Sequence, residues 1–93
     1  MIITINFRTQ IRSAAGTDSI QVELSDKAVF NELIDTVKNK ALNNLNEMLF
    51  TDDHNLSRSL LFTLNNTHQI RQEDNITLNN GDVITIIAPI SGG

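Results

Sequence analysis

The amino-acid sequence predicts an α+β fold: a mixed sheet of about four to five strands packed on one main helix, with a short second helix. Three observations predict it. Ile-rich segments with a two-residue period stand at both ends of the chain, one long stretch with helical spacing lies between them, and turn clusters separate the remaining apolar segments. Ninety-three residues make one domain, and folding so short a chain removes roughly 60–65% of its unfolded surface from water.

The first strand sets Ile3, Ile5 and Phe7 on one face and Thr4, Asn6 and Arg8 on the other. Residues 13–18 read as a turn in which Gly16 supplies a positive φ, and Ile20, Val22 and Leu24 then alternate with Gln21 and Glu23, completing a hairpin. At Ser25 and Asp26, either of which suits a helix N-cap, the period changes. Val29, Phe30, Leu33, Ile34 and Val37 recur at helical spacing, and the helix is expected to run to about Lys40. Lys38 and Lys40 near its end and Asp26 at its start complement the helix dipole. Leu42, Leu45 and Leu49 predict a short second helix, followed by a solvated loop over 51–55. A strand over 60–64, a turn at Asn65-Asn66, a short polar strand over 68–71 and a turn at Asn80-Gly81-Asp82 lead to the last strand, 83–87, which Pro89 ends. The two Ile-rich end strands are best buried side by side at the sheet centre under the helix, and the polar stretch around Gln69, Arg71 and Glu73 falls to an edge. This is a β-grasp arrangement, with a domain over 1–88 and a flexible Gly-Gly tail over 89–93.

Composition narrows the function classes. Seven Lys and Arg against eleven Asp and Glu give a net charge of −4, which repels phosphate backbones, and four Phe without Trp or Tyr provide few platforms for base stacking. No nucleic acid partner is expected. The absence of cysteine excludes disulfides, thiolate metal sites and a Cys nucleophile. No apolar run approaches the roughly 18–20 residues of a membrane span, and the first residues lack a basic head before an apolar core. The expected compartment is the cytoplasm, with no membrane partner.

The chemistry lies at the end of the sequence. Two of the four glycines are Gly92 and Gly93, an arrangement that random placement gives about once in 700. Residues without Cβ atoms pass through a narrow tunnel that any side chain would block, so such a tail can bring a main-chain carboxylate to a distant catalytic centre. A terminal carboxylate, ionised at neutral pH, can attack the α-phosphate of ATP and become an acyl-adenylate open to nucleophiles. The chain is then a substrate and carrier, not a catalyst on its own.

Gly16-Thr17-Asp18 after the first strand, Gly81-Asp82 before the last, and the ending Pro89-Ile90-Ser91-Gly92-Gly93 resemble the MoaD/ThiS family of ubiquitin-like sulfur carriers, and most of all the small subunit of molybdopterin synthase. The resemblance spans nearly the whole chain. It implies that Gly93 is adenylated by an E1-like enzyme of MoeB/ThiF type, with ATP bound by that partner, and converted to a thiocarboxylate with sulfur from a sulfurtransferase. It further implies delivery into molybdenum cofactor biosynthesis through the synthase large subunit, of MoaE type. Gly92 lets the tail fit, Pro89 and Ile87 position its base, and Val83, Ile87 and Ile90 form an apolar docking patch. Arg8 stands where the family often presents an aromatic to its partner, Ala88 replaces the first of the usual two prolines, and residues 41–59 are longer than the family minimum. A polar outer row of Thr4, Asn6 and Arg8 also fits ubiquitin-like modifiers conjugated through the same Gly93 to lysines of other proteins. A β-grasp binding module with no covalent role is the alternative from another class.

Other signals carry less. His54 beside Asp52 and Asp53 lacks a spaced partner for a metal, His68 lacks a triad partner, and Glu73 with Asp74 reads as solvated turn charge. Gly16 and Gly81 stand alone, so no phosphate loop exists and no cofactor or metal is expected on the chain itself. Three Asn-x-Ser/Thr matches, at Asn55, Asn65 and Asn75, read as turn chemistry.

Overall fold

The structure, a computed structural model, describes residues 1–53 and 55–89. Among them five strands form one mixed sheet in the order β2-β1-β5-β3-β4. The strands are β1 (Ile2–Phe7), β2 (Ser19–Glu23), β3 (Leu61–Leu64), β4 (His68–Ile70) and β5 (Val83–Ile87). The helices are α1 (Thr9–Ala15), α2 (Phe30–Lys40) and α3 (Leu45–Leu49), with a 3-10 turn at Gln72–Asp74. This is the β-grasp, ubiquitin-like fold that the pattern predicts.

The terminal strands do pair at the centre. β5 runs parallel to β1, with Ile5 opposite Ile84 and Phe7 opposite Ile86, and antiparallel to β3, with Phe62 opposite Ile86. Because side chains alternate along a strand, these residues share one face of the sheet, and Ile3, Ile5, Phe7, Ile84 and Ile86 are all buried there. Phe30, Leu33, Ile34 and Val37 of α2 pack into the same core. Phe30 meets Phe62 edge to face, with ring centroids 5.1 Å apart and planes at 78°.

Two local expectations are corrected. Residues 9–15 are helix, where a plain turn was expected before Gly16, although β1 and β2 pair antiparallel as predicted, with Ile3 opposite Val22. Ile11, Ala14 and Ala15, three and four residues apart, bury one face of α1. Gly16 caps that helix: its φ is +76°, and its N–H donates to the Arg12 carbonyl at 3.0 Å. The second correction concerns the start of α2, which begins at Phe30 and not at Ser25 or Asp26. Residues 25–28 form a turn, with the Ala28 N–H donating to the Ser25 carbonyl at 3.2 Å, and Asp26 is exposed with its carboxylate 3.8 Å from the Met1 ammonium. No side chain caps α2 from within its own segment. Instead the Phe30 N–H donates to the Ile76 carbonyl and the Asn31 N–H to Asn75 Oδ1, both at 2.9 Å, so the first-turn donors that a helix cannot satisfy itself find partners far along the chain. Lys38 and Lys40 do lie in its last turn.

Gly16 also marks a close approach. A Cβ there would lie 2.5 Å from Asn43 Nδ2, the group that donates to the Ala15 carbonyl at 2.7 Å. At Gly81, with φ +88°, a Cβ would meet nothing within 4 Å. Gly81→Ala is therefore expected to cost about 1 kcal/mol through backbone conformation alone, and Gly16→Ala about 2 kcal/mol because the Asn43 bond is lost as well. Urea midpoints of the two variants check the order, and equal losses would show that Asn43 does not hold the end of α1.

Candidate tail site

β5 brings the end of the chain out of the sheet centre at a built exit. The Arg8 N–H donates to the Ile86 carbonyl at 3.2 Å, and the Thr9 hydroxyl lies 3.3 Å from the Ala88 carbonyl and 2.7 Å from that of Arg8. Thr9 holds φ at +54°, uncommon for a β-branched residue. The start of α1, strained at Thr9, thus touches the last residues of the described strand and its continuation. Ala88 is half-buried, and Pro89, which has no N–H to extend the ladder, is exposed.

The outer face of the sheet surrounds this exit. Thr4 and Asn6 are half-buried and Arg8 is exposed, as the alternation predicts, and the Arg8 guanidinium donates back to the Phe7 carbonyl at 3.4 Å. Val83 and Ile87 are both half-buried on that face but stand four residues apart, about 13 Å along the strand. Between them Thr85 is buried, its hydroxyl 3.5 Å from Asn66 Oδ1. Val83 sits beside the β3–β4 turn, where its N–H donates to Asn65 Oδ1 at 2.7 Å. That turn is braced by Asp82, a buried carboxylate that accepts from Asn65 Nδ2 at 3.1 Å and from the Asn79 N–H at 2.9 Å. The residues grouped at the exit are therefore Arg8, Ile87 and Pro89, with Val83 at the far end of the strand.

Sequence reasoning missed Leu61. It is the register partner of Ile87 and is 37% exposed, so the two present adjoining apolar side chains next to the tail. The signal was an outward-phased leucine in β3, legible only once β3 is known to lie against β5. Ile90, Gly92 and Gly93 lie outside the described residues, as does His54.

Among the described residues, no three His, Cys, Asp or Glu side chains gather in a way that could hold a metal ion. His68 Nδ1 lies 2.9 Å from the Thr67 hydroxyl in an exposed turn, and the Arg12–Asp18 contact at 3.6 Å joins two exposed groups, a kind of pair that contributes little. No described helix is long and apolar enough to cross a membrane.

Comparison with known proteins places this geometry. The model of the ThiS family matches residues 5–93. A search of curated proteins by sequence finds no match. Among solved structures, SAMP1 from Haloferax volcanii is similar over 100% of both chains, with a TM-score of 0.86 and 19% identity. Urm1 from Trypanosoma brucei is similar over 99% of this chain and 95% of its own, with a TM-score of 0.71 and 21% identity. The complex of subunits 1 and 2 of molybdopterin-converting factor from Helicobacter pylori 26695 contains a chain that is similar over 100% of both chains, with a TM-score of 0.66 and 25% identity.

Proposed function

The chain belongs to the ThiS family, as a ubiquitin-like protein of the sulfur-carrier and modifier type, and we propose that it carries sulfur as a thiocarboxylate on Gly93, as the small subunit of a molybdopterin synthase. The observation that carries this reading is the exit itself. A central strand, clamped at Ile86 and Ala88 by Arg8 and Thr9, ends beside the exposed Leu61–Ile87 pair and leads into a sequence closing on Gly92-Gly93. A body held rigidly at that pair leaves residues 89–93 a reach of at most about 18 Å into a neighbouring active site.

The Gly93 carboxylate attacks the α-phosphate of ATP on an E1-like partner, forming the acyl-adenylate and releasing pyrophosphate. A persulfide sulfur from a sulfurtransferase attacks the carbonyl and AMP leaves. Reductive cleavage of the resulting acyl disulfide by a thiol leaves the thiocarboxylate. Gly92 has no side chain to obstruct the path, and the folded domain contributes docking and position, not catalysis. The synthase large subunit would receive the loaded tail, a role supported by likeness to one chain of the Helicobacter pylori two-subunit complex.

Conjugation through Gly93 to lysines is the second reading. It is favoured by the polar row Thr4, Asn6 and Arg8 and by likeness to SAMP1 from Haloferax volcanii, a small archaeal modifier protein. Intact-mass measurement of protein recovered from its host, with a search for Gly-Gly-modified lysine peptides, separates the two. Replacement of one oxygen by sulfur at Gly93 without lysine adducts is the expected result. Adducts without a thiocarboxylate would assign the modifier role, and an unmodified terminus in cells making the cofactor would refute both.

A further inference from the structure

Pairing between β3 and β4 ends at Phe62 and Ile70. Beyond that point the two segments diverge and bound an open groove of about 660 Å³. Its floor is apolar, formed by the buried side chains of Leu60, Phe62 and Ile70, and Leu61 adds accessible apolar surface at the rim. Arg58 comes from one bounding segment and Arg71 from the other; both are exposed. They are two of the four arginines in a chain of net charge −4.

Neither guanidinium has a hydrogen-bond or ion-pair partner among the described residues. Glu73 also lines the groove but is paired with neither. An unpaired arginine keeps its planar fork of donors available for a carboxylate, which it can bind through two parallel bonds. Two such groups above an apolar floor complement a segment that carries both carboxylates and apolar side chains. On a chain of net charge −4, two arginines lining one groove favour an acidic segment at this place over the surface as a whole.

We propose that the groove is a docking site for an acidic, extended segment of a partner protein, held by Arg58 and Arg71 over the floor of Leu60, Phe62 and Ile70. Its place is informative, because Leu61 lines the groove on one side and pairs with Ile87 on the other. A segment bound there lies one strand away from the tail exit, so a protein engaging the tail can hold the body at a second point. Binding in the groove needs no activation of Gly93, so the site stands or falls apart from the sulfur-carrier reading.

The test is an NMR titration of the full chain with a labelled decapeptide of alternating Glu and Leu, beside its Lys-Leu and Gln-Leu counterparts. The acidic peptide is expected to shift the amides of Leu61, Ile70 and Arg71, and its affinity to fall as salt screens the charges. Arg58→Glu and Arg71→Glu, both at exposed positions, should each weaken it about tenfold, and Glu73→Gln should strengthen it about twofold to threefold. Glu73→Gln removes a like charge without removing a contact, so a gain there is not explained by damage to the fold. The proposal is overturned if the Lys-Leu or Gln-Leu peptide binds as well, if the shifts lie on another face, or if the charge reversals change nothing. It is also overturned if groove signals move with protein concentration alone, which would assign the groove to a second copy, or on deletion of Gly92 and Gly93, which would assign it to the chain's own tail.

Discussion

One residue appended after Gly93 is expected to reduce adenylation by the activating partner at least about 100-fold while leaving the urea unfolding curve unchanged. In the proposed activation the reacting group is the main-chain carboxylate of Gly93 on a body held at a docking surface, so one extra residue would carry that carboxylate about 3.3–3.6 Å past the position where ATP is attacked. Misplacement of a reacting atom by even about 1 Å costs on the order of 100-fold. The extension alters none of the core residues, such as Ile5, Phe30, Phe62 and Ile86. Gly92→Val should cause a similar loss by a separate route, since its Cβ branches would meet the walls of the partner's tunnel while Gly93 keeps its place. ATP–pyrophosphate exchange measures the activation step without requiring the sulfur donor. Full exchange by the extended chain would sink both covalent readings together and leave the binding-module alternative.

What was legible in the sequence follows from how local each determinant is. β1 and β5 could be read because burial on one sheet face imposes a two-residue alternation, and each strand shows it within its own few residues: Ile3, Ile5 and Phe7, then Ile84 and Ile86. Their adjacency followed from the need to cover two apolar strands with one helix. α1 resisted reading because it has only seven residues, and Ile11, Ala14 and Ala15 give barely one repeat of a helical stripe. Gly16 is legible as a positive-φ position, but the sequence around it suggests a hairpin turn where it ends a helix.

The start of α2 was illegible for a different reason. Ser25 and Asp26 carry the side chains that cap helices, and neither is used. The helix starts where Ile76 and Asn75 accept its first donors, and Asn75 lies 44 residues from Asn31. A boundary set by tertiary contacts leaves no local mark. The same holds for the candidate site. Gly92-Gly93 declares itself in the sequence, whereas the pairing of Leu61 with Ile87 and the divergence of 57–61 from 71–75 depend on strand register. Chemistry carried by a chain end is local, and the surface that presents it is not.

Phe30→Ala tests how far that presenting surface depends on the core, with the largest stability effect expected in the molecule. The Phe30 side chain is fully buried at the first turn of α2, and its ring meets Phe62 of β3 edge to face at 5.1 Å. Truncating a buried Phe removes its transfer free energy and leaves a cavity, together about 3–5 kcal/mol. A domain of this size has only about 5–14 kcal/mol in total, so the melting temperature should fall by well over ~10 °C. Phe62→Ala should cost a similar amount. The double variant should lose less than the sum by about 1 kcal/mol, because the ring–ring contact is removed only once. Urea titration with an unchanged slope would attribute the loss to packing and not to a change in the denatured chain. Phe30 belongs to the α2 side of the sheet, whereas Leu61 and Ile87 point to the other. Adenylation per folded molecule should therefore stay at the parent rate for Phe30→Ala at a temperature where it is fully folded. A drop there would mean that α2 packing sets the strand register at the exit, and that the tail is presented by the whole core and not by the Arg8–Thr9 clamp alone.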